Sequence, residues 1–339
     1  MQFSTRSFGK TLSGEEATLF RVQTSGGMEV DFSNYGARIV ALRVPQKEGN
    51  LADIVLGYDS VIGYDTGKRY FGSNPGPFAN RIKGAGYTID GCYYPLEANE
   101  GENQLHGGKI GFDKRFWVPE NTASGIRFKT TIPHGEAGRP GNLQCTIEYI
   151  LQEDHTLQIL FMAETDRPTH VNITHHGYFN LNGNGDIPVL NHILQLNAAH
   201  VLQVDSAKIP TGERMHVENT PFDFRRPAAV GDRIALLHED FDHCFVLSQQ
   251  EEIQAVVHAP YSGIEMTLQT DYPGMQFYCS GKAAGSIAGK GGVIYPPYSS
   301  LCLEPQYFPD APNRPEFPST LLRPGEIYKK QITLTFSLK

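Results

Sequence analysis

The chain lacks a basic tract, and its 339 residues carry a net charge of −8 at pH 7. Nucleic acids and anionic membrane surfaces attract proteins of the opposite sign, so this composition argues against both as partners. Long apolar runs are missing as well, since none approaches the roughly 20 residues of a membrane-spanning helix. A neutral small molecule is the partner that fits this composition best.

Cysteine is scarce, and its spacing shows no paired pattern. The chain has five cysteines, an odd number, with no Cys-x-x-Cys motif: Cys92, Cys145, Cys244, Cys279 and Cys302. Such spacing favours free thiols in a reducing compartment. Residues 1–16 lack the apolar core of a secretory signal. We therefore expect a cytoplasmic protein.

Turn-forming residues are abundant, with 35 glycines and 22 prolines, which exceeds their usual combined share of about 12%. Tyr87–Ile89 and Cys92–Tyr94 flank Asp90-Gly91, a strong signal for a two-residue hairpin. Apolar alternation over 143–149 and 157–163 predicts a second hairpin. Asp232–His238 is the best short helical candidate. We expect residues 1–339 to form one all-β domain, a large antiparallel β-sandwich.

The stretch 169–181 is expected to form a strand with two different faces. Val171, Ile173 and His175 would lie on one face, and the polar side chains up to His176 on the other, because strand side chains alternate. A histidine at a strand end, beside hydroxyl and amide groups, is placed to meet a polar ligand. A structural histidine is the alternative interpretation.

Glu304 ends a second apolar strand. Leu301 and Leu303 would share one face, leaving Cys302 and Glu304 on the other, and Pro305 keeps Glu304 extended. A carboxylate in such a strand is unfavourable unless it has a partner. A structural ion pair and a functional carboxylate are both consistent with this pattern.

Twelve histidines raise the question of a metal site. His170, His175 and His176 are close in sequence, but His175 would point away from the other two, and the known zinc motifs are absent. We expect no metal. The stretch Gly285–Lys290 is one residue short of phosphate-loop spacing and lacks the Ser or Thr after its lysine, so we expect no phosphate loop.

Other polar groups have ordinary interpretations when taken singly. Asn80 and Arg81 are consistent with a surface ion pair, and Asp242-His243 with a turn. His106 is consistent with a plain loop histidine, although the glycine after it permits close approach to a ligand.

Taken together, six ordered motifs resemble the aldose 1-epimerase (galactose mutarotase) family, from Tyr35 to Gly325. The motifs are Asn80-Arg81-Ile82; Leu105-His106-Gly107-Gly108 with Gly111-Phe112-Asp113 and Trp117; Thr174-His175-His176-Gly177-Tyr178-Phe179-Asn180-Leu181; Asp242-His243; Pro273-Gly274-Met275-Gln276; and Leu303-Glu304-Pro305-Gln306 followed by Pro309-Asp310-Ala311.

The resemblance implies a galactose mutarotase-like supersandwich with a groove for a small free aldose. It implies an isomerase that interconverts the α and β anomers of sugars such as galactose and glucose, with His176 as proton donor and Glu304 as proton acceptor. No cofactor is expected, and the protein is expected to be a monomer or a homodimer. Sugar contacts are implied for Asn80, Arg81, His106, Asp242 and Gln276, and less strongly for Tyr178 and Tyr278.

Several positions depart from the family pattern. His175 stands where Asn is common, Gly177 where Ser is common, Pro77 in place of Arg, Cys244 in place of Asn, and Pro305 in place of Thr. The acid and the base are retained, so these departures leave open only which sugar is preferred.

Three other functions remain in consideration. A hexose-6-phosphate epimerase would need an extra basic pair for the phosphate. A noncatalytic sugar-binding sandwich would bind galactose without accelerating anomer exchange. A glycosidase would normally need two carboxylates around the bond, a pair that Asp242 and Glu304 could supply.

Overall fold

Short strands dominate the secondary structure of the computed structural model, which describes residues 1–47, 49–183, 185–237, 239–279, 281 and 288–339. Residues 285–287 of the Gly285–Lys290 stretch, and His238 of the predicted helix, lie outside the described residues. The strands are β1 (Gln2–Lys10), β2 (Glu16–Gln23), β3 (Glu29–Ser33), β4 (Arg38–Pro45), β5 (Leu51–Asp53), β6 (Arg81–Ile82), β7 (Gly86–Ile89), β8 (Cys92–Pro95), β9 (Gln104–Leu105), β10 (Val118–Thr122), β11 (Gly125–Ile132), β12 (Leu143–Leu151), β13 (Thr156–Thr165), β14 (Thr169–His170), β15 (Ile193–Leu196), β16 (Ala198–Val204), β17 (Pro210–His216), β18 (Ala228–Ala229), β19 (Phe241–Leu247), β20 (Ala255–His258), β21 (Ile264–Thr270), β22 (Gly274–Cys279), β23 (Cys302–Gln306), β24 (Leu321–Leu322) and β25 (Tyr328–Leu338).

The helical segments are short. The α-helices are α1 (Val61–Thr66) and α2 (Val230–Leu237), and α2 matches the predicted helix over its described part. The 3₁₀ turns are Lys83–Ala85, Phe112–Lys114, Glu136–Gly138, Val189–Asn191, Lys290–Gly292 and Ala311–Asn313. In the described part of the chain, no helix has the length and apolar character needed to cross a membrane.

Three sheets carry most of the strands. An N-terminal sheet has the order β1-β2-β3-β4-β5, and a nine-stranded sheet has the order β10-β11-β12-β13-β25-β21-β20-β15-β18. The third, which we call the site sheet, has the order β17-β16-β19-β22-β23. Neighbouring strands run antiparallel, which confirms the predicted all-β, antiparallel class.

Both predicted hairpins are present. The β7–β8 hairpin turns at Asp90 and Gly91, whose φ angles of 49° and 80° are the left-handed values that a tight hairpin turn requires. In the β12–β13 hairpin, Ile147 is opposite Phe161, and both side chains are buried. The alternating pattern therefore identified the inner face of the nine-stranded sheet correctly.

One continuous hydrophobic core joins the inner faces of the three sheets. The N-terminal sheet contributes Phe32, whose ring lies 4.6 Å from that of Tyr149 in the nine-stranded sheet. The site sheet contributes Phe241, Phe277 and Leu303 to the same core. Burying one side of each sheet in this way leaves the other side of the site sheet available for polar groups.

The prediction of a regular strand across 169–181 is wrong beyond His170. Only Thr169–His170 is a strand, and the rest is an extended segment that makes isolated bridges to Phe78, Ser73 and Leu301. The segment is buried on both sides, because other chain segments cover the polar side chains as well as the apolar ones. A core face and a solvent face therefore do not exist here.

The buried ring of His192 is expected to make the stability of the protein depend on pH. Its Nε2 accepts the backbone N–H of Leu181 at 3.0 Å, and burial lowers its pKa to about 3. Unfolding lets the ring take up a proton below its ordinary pKa of 6.5, so stability contributed by the neutral ring is present above pH 6.5 and is lost towards pH 3. His192→Gln keeps an acceptor but cannot titrate. Between pH 5.5 and 4, we expect the free energy of unfolding of the variant to fall less steeply with acidification than that of the wild type. The expected difference between the two slopes is about 1.4 kcal/mol per pH unit.

Urea unfolding at several pH values measures this slope. The difference in free energy of unfolding between variant and wild type at pH 7.5 measures the loss of packing. The difference between their slopes with pH measures the proton that His192 takes up on unfolding. Equal slopes in the two proteins would show that His192 takes up no extra proton on unfolding.

Candidate active site

Four of the predicted site residues lie on one face of the site sheet. Asp242 in β19 is opposite Tyr278 in β22, and Gln276 in β22 is opposite Glu304 in β23. Residues two apart on a strand share a face, so the four side chains project from the same side. Asp242 therefore belongs to a strand and not to a turn.

Glu304 is positioned as its strand pattern predicts. Leu301 and Leu303 enter the core from one face, and Glu304 projects from the other with its side chain only 3% exposed. Among the described residues its Oε2 atom has no hydrogen-bond partner. A buried carboxylate oxygen without a partner is unfavourable, which makes it available to a ligand hydroxyl.

His176 reaches Glu304 from the extended segment. Its backbone N–H donates to the carbonyl of Ser73 at 2.8 Å, which fixes the residue beside the site sheet. The His176 Nε2 and Glu304 Oε1 atoms are 3.5 Å apart. The ring of Tyr178 stacks on the imidazole, with centroids 4.6 Å apart and planes within 6°. Two groups distant in sequence are thus held side by side.

Asn80 and His106 are locked together by two hydrogen bonds. The N–H of His106 donates to the Asn80 carbonyl at 3.2 Å, and the N–H of Asn80 donates to His106 Nδ1 at 3.1 Å. Both residues have left-handed φ angles, 65° for Asn80 and 52° for His106. Because Nδ1 is an acceptor, the neutral His106 ring carries its proton on Nε2 and presents a donor to the cavity.

These elements enclose one cavity of about 300 Å³. All nine predicted site residues line it, together with four residues for which no role in the site was predicted. The lining is Lys68, Arg69, Tyr70, Asn80, Arg81, Leu105, His106, His176, Tyr178, Asp242, Gln276, Tyr278 and Glu304. A cavity of this size suits a small ligand such as a monosaccharide.

The residues that sequence reasoning missed come from loops. Tyr70 packs on His106 with ring centroids 4.5 Å apart and lies 5.9 Å from the His176 ring. Glu100 binds Arg81 with both oxygens, at 2.7 and 2.9 Å. No periodic pattern marks these loop residues. The only local signal was the adjacent pair of cations, Lys68 and Arg69.

Asp242 is held by two neighbours. Gln276 Nε2 donates to its Oδ1 at 2.6 Å, and Arg81 Nη1 lies 3.5 Å from its Oδ2. Glu100, Arg81 and Asp242 thus form a chain of alternating charge along the cavity wall. A carboxylate fixed in this way can accept hydrogen bonds from ligand hydroxyls in a defined direction.

The unliganded site favours neutral forms of the central pair. Burial, reinforced by the Asp242 carboxylate, raises the pKa of Glu304 well above its usual range. Burial, reinforced by His175, lowers the pKa of His176. The 3.5 Å contact would be an ion pair only if His176 were protonated, and burial opposes that charge. Burial therefore favours a neutral His176 and a protonated Glu304, the reverse of the proton donor and proton acceptor that the family resemblance implies.

His106, His176 and Glu304 also have the composition of a metal site. Their nearest donor atoms all lie within 4.8 Å of one another. A metal-bound histidine needs a lone pair on the liganding nitrogen and usually donates through the other nitrogen. His106 does the reverse, because its Nδ1 accepts a backbone N–H. This arrangement suits donation to a ligand oxygen better than coordination of a cation.

The departures from the family pattern lie behind the cavity wall. His175 Nδ1 contacts Asn74 Oδ1 at 3.2 Å, on the side away from the cavity. Gly177 faces the Phe179 ring, which would lie 2.6 Å from an added Cβ. Neither residue lines the cavity, and nor do Pro77, Cys244 and Pro305.

Comparisons with known proteins show which proteins the chain is similar to. A family model described as aldose 1-epimerase matches residues 18–335. The chain is 40% identical to the galactose mutarotase of Bos taurus over 322 residues, 94% of each chain. It is 35% identical to the aldose 1-epimerase of Escherichia coli (strain K12) over 328 residues, 93% of this chain and 94% of the relative. The solved structure of an aldose epimerase homologue from C. elegans matches with a TM-score of 0.88 at 30% identity, covering 94% of this chain and 98% of that one.

Gly107 is expected to be essential for the loop that carries His106. Its φ is +95°, and an added Cβ would lie 2.1 Å from the carbonyl oxygen of Gly76. Gly101 is a matched control, because its φ is also positive, +58°, with nothing within 4 Å of an added Cβ. We expect Gly101→Ala to lower the free energy of unfolding by about 1 kcal/mol and Gly107→Ala by more than about 2 kcal/mol, as a backbone atom must move. Urea unfolding measures both, and equal losses would contradict the assigned close approach.

Proposed function

The chain belongs to the aldose 1-epimerase family, and we propose that its His176–Glu304 pair interconverts the α and β anomers of free aldohexoses such as galactose and glucose. The observation that carries the assignment of roles is the 3.5 Å separation of His176 Nε2 and Glu304 Oε1 inside the cavity. The ring oxygen and the anomeric hydroxyl of an aldose are bonded to the same carbon. Groups that exchange protons with both must therefore be adjacent, as these two are.

The proton count of the pair fits the reaction. In ring opening, His176 donates a proton to the ring oxygen, the bond from that oxygen to C1 breaks, and Glu304 takes the proton of the anomeric hydroxyl as the C1 carbonyl forms. Rotation about the C1–C2 bond presents the other face of the aldehyde. Ring closure then returns both protons. No other reactant is consumed.

Burial favours one stage of this cycle. At the open-chain stage Glu304 is protonated and His176 is neutral, which is the distribution that burial favours in the unliganded site. The cyclic sugar instead needs the charged pair before the ring opens. Ring opening thus moves the site from separated charges to neutral groups in a low-dielectric environment, which lowers the energy of the open-chain stage.

The remaining cavity residues are proposed to hold the sugar. His106 donates from Nε2, and Arg81 donates from its guanidinium, towards oxygens near the reacting carbon. Asp242 and Gln276 supply an acceptor and an amide for ring hydroxyls, and Asn80 fixes the position of His106. Tyr178 and Tyr278 complete the wall, with Tyr178 keeping the plane of the His176 ring in place.

The proposal also covers the domain organisation, the location and the oligomeric state of the chain. Residues contributing to the cavity range from Lys68 to Glu304, so we propose that 1–339 works as one domain. All five cysteines are free thiols, which supports the proposed cytoplasmic location. Monomer and homodimer are both compatible with a cavity formed by one chain.

Glu304→Gln and His176→Asn should each reduce the turnover number for galactose at least about 100-fold, because each removes one proton-transfer group. His175→Asn is the matched control, since its ring faces Asn74 and an Asn amide can keep that hydrogen bond. We expect the control to retain most of the activity. Polarimetry of freshly dissolved α-galactose measures the rate, and near-ultraviolet circular dichroism checks the fold.

Near wild-type turnover in either Glu304→Gln or His176→Asn would remove that residue from its proposed role. Galactose binding without any rate acceleration by the wild type would instead indicate a noncatalytic sugar-binding protein. Release of free sugar from an aryl galactoside would indicate a glycosidase using Asp242 and Glu304.

A second candidate function is supported by two cations in the cavity wall. Lys68 and Arg69 both line the cavity, and Arg69 is close enough to His176 to lower its pKa, after the larger effects of burial and of His175. An adjacent basic pair is what a hexose-6-phosphate substrate would need. The net charge of the protein opposes this candidate, and the basic pair favours it.

Comparison of glucose with glucose 6-phosphate distinguishes the two candidates. We expect glucose to be exchanged at least as efficiently as its 6-phosphate, measured for both by magnetisation transfer between anomeric protons in NMR. A kcat/KM at least tenfold higher for the 6-phosphate, which Lys68→Gln abolishes, would establish the second candidate instead.

A further inference from the structure

A pair of histidines faces each other at the edge of the site sheet, outside the cavity. His200 in β16 is directly opposite His216 in the edge strand β17, so their side chains leave the sheet on the same side. The two Nε2 atoms are 3.3 Å apart, and the ring centroids are 4.1 Å apart. His200 is half-buried and His216 is exposed.

We propose that His200 and His216 form a bidentate binding site for Zn²⁺ or a similar divalent transition-metal ion. A zinc ion bound to imidazole at about 2.0–2.1 Å, with a tetrahedral angle between the bonds, places the two nitrogens about 3.3 Å apart. The observed separation already has this value.

The protons of the pair are compatible with metal binding. Without a metal, only one of two neutral Nε2 atoms can carry a proton, which it donates to the other. Binding requires that proton to move to Nδ1 of the same ring by exchange with water, and each ring then offers a lone pair from Nε2. This differs from His106, whose Nδ1 is occupied as an acceptor.

The surroundings limit the affinity but do not block the site. Arg214 lies two residues before His216 on β17, and its guanidinium is over the ring of Phe308, 5.5 Å from the centroid. Its positive charge weakens attraction for a cation. On the other side of β16, His200 is paired with Val246 of β19, which is apolar. Water can take the remaining coordination positions, since the pair lies at the surface.

Calorimetric titration of tag-free full-length protein with zinc chloride at pH 7.5 tests the proposal. We expect one zinc per chain in the wild type and at least tenfold weaker binding in both His200→Gln and His216→Gln, because each leaves a single imidazole. His134→Gln is the control, since His134 is exposed and its Nδ1 accepts the backbone N–H of Gly141. Zinc should also raise the melting temperature of the wild type but not of the two paired variants.

Copper(II) electron paramagnetic resonance provides a second measurement, with hyperfine structure from two imidazole nitrogens expected in the wild type and from one in either variant. Unchanged zinc affinity in His200→Gln and His216→Gln would overturn the proposal, as would an equal loss in His134→Gln. Loss of zinc binding in His176→Asn, with the surface pair intact, would place the metal in the cavity and also overturn it. None of these outcomes depends on catalytic activity.

Discussion

The contact between His176 and Glu304 is the constraint on which the rest of the site depends. Two titratable groups 3.5 Å apart and almost fully buried cannot both be charged unless each is well compensated. Here the compensation is incomplete, because Glu304 Oε2 and His176 Nδ1 have no partner among the described residues. Burial therefore favours the proton of the pair on Glu304, and the protein tolerates a costly arrangement that a polar ligand can relieve.

Holding this pair requires three kinds of backbone. The site sheet fixes Glu304, Gln276 and Asp242 by strand register, which is rigid and repeats every two residues. An extended segment, anchored by single bridges, brings His176. A loop with left-handed residues brings His106 and Asn80. The proposed acid, base and sugar-orienting groups thus come from separate parts of the chain, and tertiary packing alone brings them together.

These three kinds of backbone differ in how far the sequence could predict them. The side of β23 that carries Glu304 followed from the alternation of Leu301 and Leu303, because a sheet with one buried face imposes that pattern. The hairpins followed from turn chemistry in the same way. The polar face of 169–181 was predicted incorrectly as one face of a regular strand, because a segment covered on both sides need not pair regularly with its neighbours. Asp242 and Gln276 were found through the order of motifs and not through local pattern.

Tyr70 and Glu100 could not have been found, since their positions depend on contacts between remote segments. Arg38 illustrates this dependence: its guanidinium is buried and donates to the backbone carbonyls of Tyr35, Phe71 and Asp113. One side chain thereby ties the Tyr70 segment to the loop that follows His106. Nothing in the local sequence around Arg38 indicates these acceptors.

The proposed sugar-binding groups and the proposed proton acceptor are electrostatically linked in this cavity. The Asp242 carboxylate helps to raise the pKa of Glu304, and the Arg81 guanidinium opposes it. The same two groups line the cavity and are proposed to bind oxygens of the sugar. A hydroxyl that donates to Asp242 partly neutralises its field at Glu304 and so makes the carboxylate form easier to reach. In the proposed reaction, binding the sugar in the correct orientation therefore promotes the charged state that ring opening needs.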